Sequence, residues 1–320
     1  MKGRRRRGHR IVRDVALFLL RRLLGIAVLA WATTLATFAL LRLGIPNPAI
    51  DAQISQQLGP GQSATSQYVH YLLRLLHGNL GQSLSQPVSV DTILRESLPP
   101  TLSLMIGGMV LWLTLGVLAG TVSALRPGSW ADRLATTGVL AALSIPTFLL
   151  ALLLLAAFGQ LAKTGNLWIQ PGYVGISQSP GQWLGRMILP WIAIAASQAG
   201  VTARLARAGI LEVLGEDYIR TARAKGVAER RILWLHVLRA AMLPVLSGIG
   251  VGFGAVLGAA AIVDEVFALG GIGQMFLVAA KAGDLLVITG TALITVILVA
   301  VVNLITDVCY TLLNPRIQLT

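Results

Sequence analysis

The stretch EDYIRTARAKGVAERRILWLHVLRAAMLP, from Glu216 to Pro244, decides the fold. It is a charge-dense block set between two apolar runs. With its upstream flank it carries Arg204, Arg207, Glu212, Glu216, Asp217, Arg220, Arg223, Lys225, Glu229, Arg230, Arg231 and Arg239, mixed in sign and spaced as on exposed helix faces. Gly226 follows ten good helix formers and suits the left-handed conformation that ends a helix, so a second short helix is expected from about Ala228 to Leu238. Pro244 fits the first turn of the next helix, where its missing N–H costs little. The prediction is a helical hairpin along a membrane surface, with Thr221, Ala222 and Ala224 keeping its first helix slim and Arg220, Arg223 and Lys225 edging it. The plainer reading is a solvated loop.

Outward from that block, composition identifies the solvent. With 55% hydrophobic residues, 12% charged residues and a mean hydropathy of +0.74, the 320-residue chain lies far from soluble domains. About 20 apolar residues span the hydrocarbon core. Six runs qualify: Leu23 to Leu41, Ser97 to Leu125, Leu134 to Ala162, Met187 to Ala203, Ala240 to Val263 and Leu285 to Thr306. Two more uncharged runs, Ala52 to Leu73 and Thr164 to Gly185, hold too many Gln, Ser, Gly and Pro residues to cross and are expected to be loops.

Lys and Arg set the orientation, because cytoplasmic segments retain them. One side receives the nine before the first span, Arg126 and Arg133, the eight between Arg204 and Arg239, and Arg316. The other receives Arg42, Arg74, Arg95, Lys163, Arg186 and Lys281. Both termini are expected in the cytoplasm. The first apolar run is too long, and lacks the cleavage site, for a signal peptide. The RRRRGHR arm suits anionic lipid headgroups and not nucleic acid, since no folded basic domain or aromatic platform accompanies it. The single cysteine, Cys309, has no partner for an intrachain disulfide.

From Ala203 to Pro244 the chain reads ARLARAGILEVLGEDYIRTARAKGVAERRILWLHVLRAAMLP, and this resembles the permease subunits of bacterial ABC importers of the dipeptide and oligopeptide group. Arg220, Thr221 and Ala222, followed by Gly226, occupy the Glu-Ala-Ala-x-x-x-Gly signature of those permeases. The strings LLRRLL (19–24), GNLGQSL (78–84), LPPTLSL (98–104), RPGSWADRL (126–134), SIPTF (144–148), VFALGGIG (266–273) and NPRI (314–317) extend the resemblance from about Leu17 to Arg316. The chain departs from the pattern at Asp264, Glu265 and Gly270, where Glu-Thr and a Pro-Gly turn are usual, and at Ala240, where Asn is usual. The resemblance implies that Glu216, Asp217, Tyr218, Arg220, Thr221, Ala222, Arg223, Lys225 and Gly226 form a coupling helix that docks on an ATPase subunit. It also implies a second permease, two ABC ATPase subunits that use ATP and Mg, and an extracytoplasmic substrate-binding protein.

The chain itself has no Gly-Lys dipeptide, so it has no Walker A loop, and its four histidines are scattered. There is no HExxH, no GxSxG and no carboxylate pair inside a span, so neither catalytic residues nor a bound metal or cofactor is expected. Gly250, Gly254 and Gly258 share one helix face, suited to tight packing, to a smooth translocation path, or to both. Gln198, with Ser197 beside it, is polar within the fourth span and is expected to face the bundle interior or a wet path. Asp264 and Glu265 mark the outer end of the fifth span. The run Val266 to Ala280 after them is too short to cross, and reads as a gating or surface helix or as solvated loop. In the long outer loop, YVHYLLRLL (68–76) reads as an amphipathic helix stopped at Gly78, resting on the bundle rim or meeting a binding protein.

The expected architecture is an all-α membrane protein of six transmembrane helices with a cytoplasmic coupling helix, like a type I ABC importer permease. It divides into a basic segment 1–22, a first helix 23–43, an extracytoplasmic loop 44–96, a transmembrane domain 97–313 holding the coupling segment 209–239, and a tail 314–320. The expected function is ATP-driven import of di- or oligopeptides across the bacterial cytoplasmic membrane. A permease for nickel or another small solute, and a stand-alone channel or carrier, are the alternatives.

Overall fold

The computed structural model describes residues 20–39, 63–163 and 170–313. The Arg-rich arm, the first part of the loop after the first span, and the tail with its NPRI string lie outside the described residues. The helices are α1 Leu20–Ala39, α2 Ala64–Leu76, α3 Val90–Leu125, α4 Trp130–Ser144, α5 Thr147–Lys163, α6 Pro180–Leu214, α7 Asp217–Ala224, α8 Glu229–Arg231, a π-helical segment Ile232–Val237, α9 Leu238–Ala241, α10 Leu243–Phe267, α11 Ile272–Ala282 and α12 Leu285–Leu313. No strand is found among the described residues.

Five helical stretches are long and apolar enough to cross a bilayer: Leu20–Ala39, Val90–Leu125, Pro180–Leu214, Glu229–Gly250 and Leu285–Cys309. A sixth is counted if Gly252–Phe267 and Ile272–Ala282, which meet at 79°, form one bent span. At 1.5 Å per residue the 36 residues of α3 measure about 54 Å, so this helix projects well beyond the hydrocarbon. The expected third span, Leu134 to Ala162, is not continuous. Ile145 is extended at φ −94° and ψ 121°, and α4 and α5 meet there, because Pro146 disfavours helical geometry in the residue before it. The amphipathic helix expected at 68–76 is present as α2 and starts four residues earlier, at Ala64, and α6 begins at Pro180 inside the other expected loop.

The chain divides into two compact units, residues 1–95 with 278–320, and residues 96–277. In the first unit, α2 lays Tyr68 and Tyr71 against Phe38 of α1, with ring centroids 5.1 and 6.2 Å apart. Arg22 of α1 pairs with Asp307 of α12. Asp284 caps α12 by accepting from the Val287 N–H at 3.2 Å, and it also receives the Ser83 hydroxyl, the Ser85 hydroxyl at 2.8 Å and the Ser85 N–H at 3.0 Å. The GNLGQSL string is thereby fastened to the start of the last span. Burial pushes the Asp284 carboxyl up, but these hydrogen bonds outweigh it and hold the group below its ordinary value.

In the second unit, α6 lies against α4, α5, α9 and α10. Two glycines let α3 approach it. A Cβ on Gly116 would stand 2.6 Å from Thr202 Cβ, and one on Gly120 would stand 2.5 Å from the Ala203 carbonyl oxygen. Nearby, the buried Trp112 Nε1 donates to Thr202 Oγ1 at 2.5 Å. The glycine series expected to serve tight packing, a smooth path or both makes no tight approach within the described residues at Gly254 and Gly258. Among the described residues a Cβ on Gly254 or Gly258 would meet nothing within 4 Å, whereas one on Gly248 or Gly252, off that face, would stand 3.1 Å from Leu205 or 3.2 Å from Trp112.

Asp264 is not a solvated loop charge. It is buried, and its carboxylate accepts from the Gly271 N–H at 3.0 Å and the Gln274 N–H at 2.8 Å, while Thr101 Oγ1 accepts from the Ile272 N–H at 2.8 Å. Ala268 is left-handed at φ +51°, and the chain turns sharply from α10 into α11. Asp264 therefore holds this bend.

Candidate functional site

Glu212 to Pro244 folds as a hairpin, starting where α6 ends. Gly215 closes α6, and α7 then runs for only eight residues, Asp217 to Ala224. A helix so short is marginal alone, so its position must come from contacts. Ile219 is fully buried among Ala124, Ile210, Ile232, Val237 and Ala241, with Ala222, Val227 and Leu214 packed around them. The inner face of α7 is thus anchored to α6 and to the helical stretch after it.

The other face is charged and exposed. Arg220 approaches Asp217 at 3.7 Å with both side chains mostly in solvent, and such a pair contributes little. Arg223 and Glu229 make a two-point contact at 2.6 and 3.3 Å that ties α7 to α8 across the turn. The Arg223 hydrogen bond holds the Glu229 carboxyl below its ordinary value. Tyr218 is half exposed, and its hydroxyl is pushed up by burial and by Glu216. Between the helices, Gly226 has φ +76°, the left-handed geometry expected of it, and a Cβ there would find open space.

Two expectations gain detail. Ala222 faces the hydrophobic cluster, so of the three small residues only Thr221 and Ala224 are exposed. The second helix forms where expected, from Glu229, but changes type along its length: α8 gives way to the π-helical Ile232–Val237, and α9 leads to α10, where Pro244 takes its place in the first turn. At the base of the hairpin α6 and α9 nearly touch, since a Cβ on Gly209 would lie 2.7 Å from the Ala241 carbonyl oxygen.

Residues 113–319 match the binding-protein-dependent transport system inner membrane component model. The chain belongs to that family. It is a multi-pass inner-membrane protein and the permease subunit of an ABC transporter. Among its relatives is the probable peptide ABC transporter permease y4tP of Sinorhizobium fredii, 33% identical over 95% of this chain and 100% of its own length. The di/tripeptide transport system permease DppB of Pseudomonas aeruginosa is 34% identical over 94% of this chain and 98% of its own. The glutathione transport system permease GsiC of Escherichia coli is 33% identical over the same shares. In fold, this permease is similar to a chain of the inward-facing MetNI methionine ABC transporter, with a TM-score of 0.54 at 20% identity, covering 69% of this chain and 96% of that one.

The other expected site residues of this permease are separated from the hairpin by helix length. Ser197 Oγ donates to the Ile194 carbonyl at 2.8 Å, so it satisfies its own helix. Gln198 lies against Gly252, where a Cβ would be 3.3 Å from its Oε1. Three residues that sequence reasoning left without a role meet beside the hairpin: Ser123, Asp132 and Arg207. A charge at Asp132, two residues past Trp130 of the RPGSW turn, is the signal that marks them.

Proposed function

We propose that this chain is one of two permease subunits of an ATP-driven importer of di- or oligopeptides, and that the exposed face of α7 docks on an ATPase subunit. The observation that carries the reading is a short helix ended by a left-handed Gly226, fixed to the membrane bundle through Ile219 and presenting Asp217, Arg220 and Lys225 outward. Relatives named for peptide transport, 33 to 36% identical over most of the chain, support the substrate class. Two ATPase subunits using ATP and Mg, a second permease and an extracytoplasmic binding protein complete the machine, and both termini lie in the cytoplasm.

In this mechanism, closure of the ATPase pair pushes α7, and the push enters the bundle because α7 is packed and not tethered. Ile219 passes it to α6, and the Arg223–Glu229 contact passes it to α8 and on to α10. Gly254 and Gly258, where an added Cβ would meet none of the described residues, suit either the translocation path or the second permease. The test is co-purification from native membranes. Wild type brings down an ATPase subunit, and the double variant Arg220→Glu, Gly226→Val does not. Purification of the wild type alone, with solute flux in liposomes that needs no ATP, sinks the reading.

A further inference from the structure

At the arginine-rich end of the second unit, α3, α4 and α6 line a half-open cavity of about 450 Å³. Its walls are chemically unequal. Ala119, Ala135 and Ala203 give it apolar lining, and Arg204 and Arg207 bring positive charge. The carboxylate inside is already matched, because Asp132 accepts from the Ser123 hydroxyl and from the Gly128 N–H at 2.9 Å and stands 3.6 Å from the Arg207 guanidinium. Arg204 has no ion-pair partner among the described residues, so the cavity holds one uncompensated cation.

Its depth relative to the membrane can be read from the surface around it. Trp130 is 77% exposed and sits between Arg126 and Arg133, the arrangement of an aromatic residue at the headgroup level. Leu118, Val122 and Leu134 on the same two helices are exposed apolar residues, as a lipid-facing surface requires. A ligand that fits must carry a negative group at the interface and an apolar body below it. Free phosphate would leave the alanine wall empty, and a choline lipid brings its own cation to compete with Arg204.

We propose that this cavity binds an anionic phospholipid, with its headgroup phosphate on Arg204 and the start of an acyl chain along Ala119 and Ala135. The site adjoins the base of α6, so an occupied cavity braces the element that carries the hairpin. The proposal does not depend on the transported substrate.

Native mass spectrometry of the intact, detergent-solubilised complex tests it, with phosphatidylglycerol, phosphatidylcholine and inorganic phosphate as probes. Wild type should retain phosphatidylglycerol about fivefold over phosphatidylcholine, the worth of one arginine near the membrane surface. Arg204→Gln and Ala119→Leu should each remove that preference, and Arg204→Lys should keep it, which separates loss of charge from loss of fold. Equal retention of the two lipids by wild type, or an unchanged preference in Arg204→Gln or Ala119→Leu, overturns the proposal. Displacement of phosphatidylglycerol by inorganic phosphate overturns the lipid as its ligand.

Discussion

Arg207 Nε donates to Ser123 Oγ at 2.8 Å, a contact between side chains 84 residues apart, and Ser123 donates in turn to Asp132. The chain Arg207–Ser123–Asp132 fastens the end of α3 and the start of α4 to α6 just before the hairpin. The hydrogen bond from Ser123 is the main reason the Asp132 carboxyl titrates below its ordinary value, helped by the Gly128 N–H and Arg207 and opposed by burial.

The sign of the resulting pH dependence follows. A depressed folded-state value means that the stabilisation is present above the unfolded-state value and is lost as pH falls through the folded one. The thermal midpoint of the detergent-solubilised complex should therefore fall in acid, below the ordinary aspartate range, by more in wild type than in Asp132→Asn. An identical acid limb in the two proteins would show that the network adds no linkage.

Gly226→Val meets open space, so its cost is conformational and not steric. A branched residue at φ +76° costs about 1 to 2 kcal/mol, enough to reshape the turn after α7 without preventing insertion. The variant should reach the membrane in normal amount and lose uptake and ATPase co-purification. Gly226→Asn, whose side chain tolerates the left-handed region, should keep most of both.

Ile219→Ala removes the buried anchor of α7. Large-to-small changes of this kind cost about 2 to 5 kcal/mol in a core, more than an eight-residue helix can supply for itself. Limited proteolysis should cut faster between Ile219 and Gly226, while the spans remain protected. Equal cleavage rates would mean that α7 is held by something other than Ile219.

The glycines divide into two classes. Gly120→Ala drives a methyl toward the Ala203 carbonyl and should destabilise the α3–α6 crossing by about 1 to 3 kcal/mol, seen as a lower thermal midpoint. Gly254→Ala should leave that midpoint unchanged, because nothing among the described residues lies within 4 Å of the added methyl. A comparable loss at Gly254 would place a second permease subunit against it.

Membrane character, the position of the charged hairpin and the left-handed turn at Gly226 were legible in the sequence. Each rests on local quantities: the length of an apolar run, the spacing of charges, the residue that tolerates positive φ. The break before Pro146 was also local, but an apolar run without charges reads as one span whether or not a proline interrupts it. What only the tertiary structure decided depends on the rotation of each helix about its axis and on crossings between distant residues. It turned Ala222 inward, gave the close approaches to Gly116 and Gly120 in place of Gly254 and Gly258, and joined Arg207 to Ser123 and Asp132. It also closed Asp264 over the backbone of its own bend, because a buried carboxylate needs N–H partners and the turn to Gly271 and Gln274 supplies them.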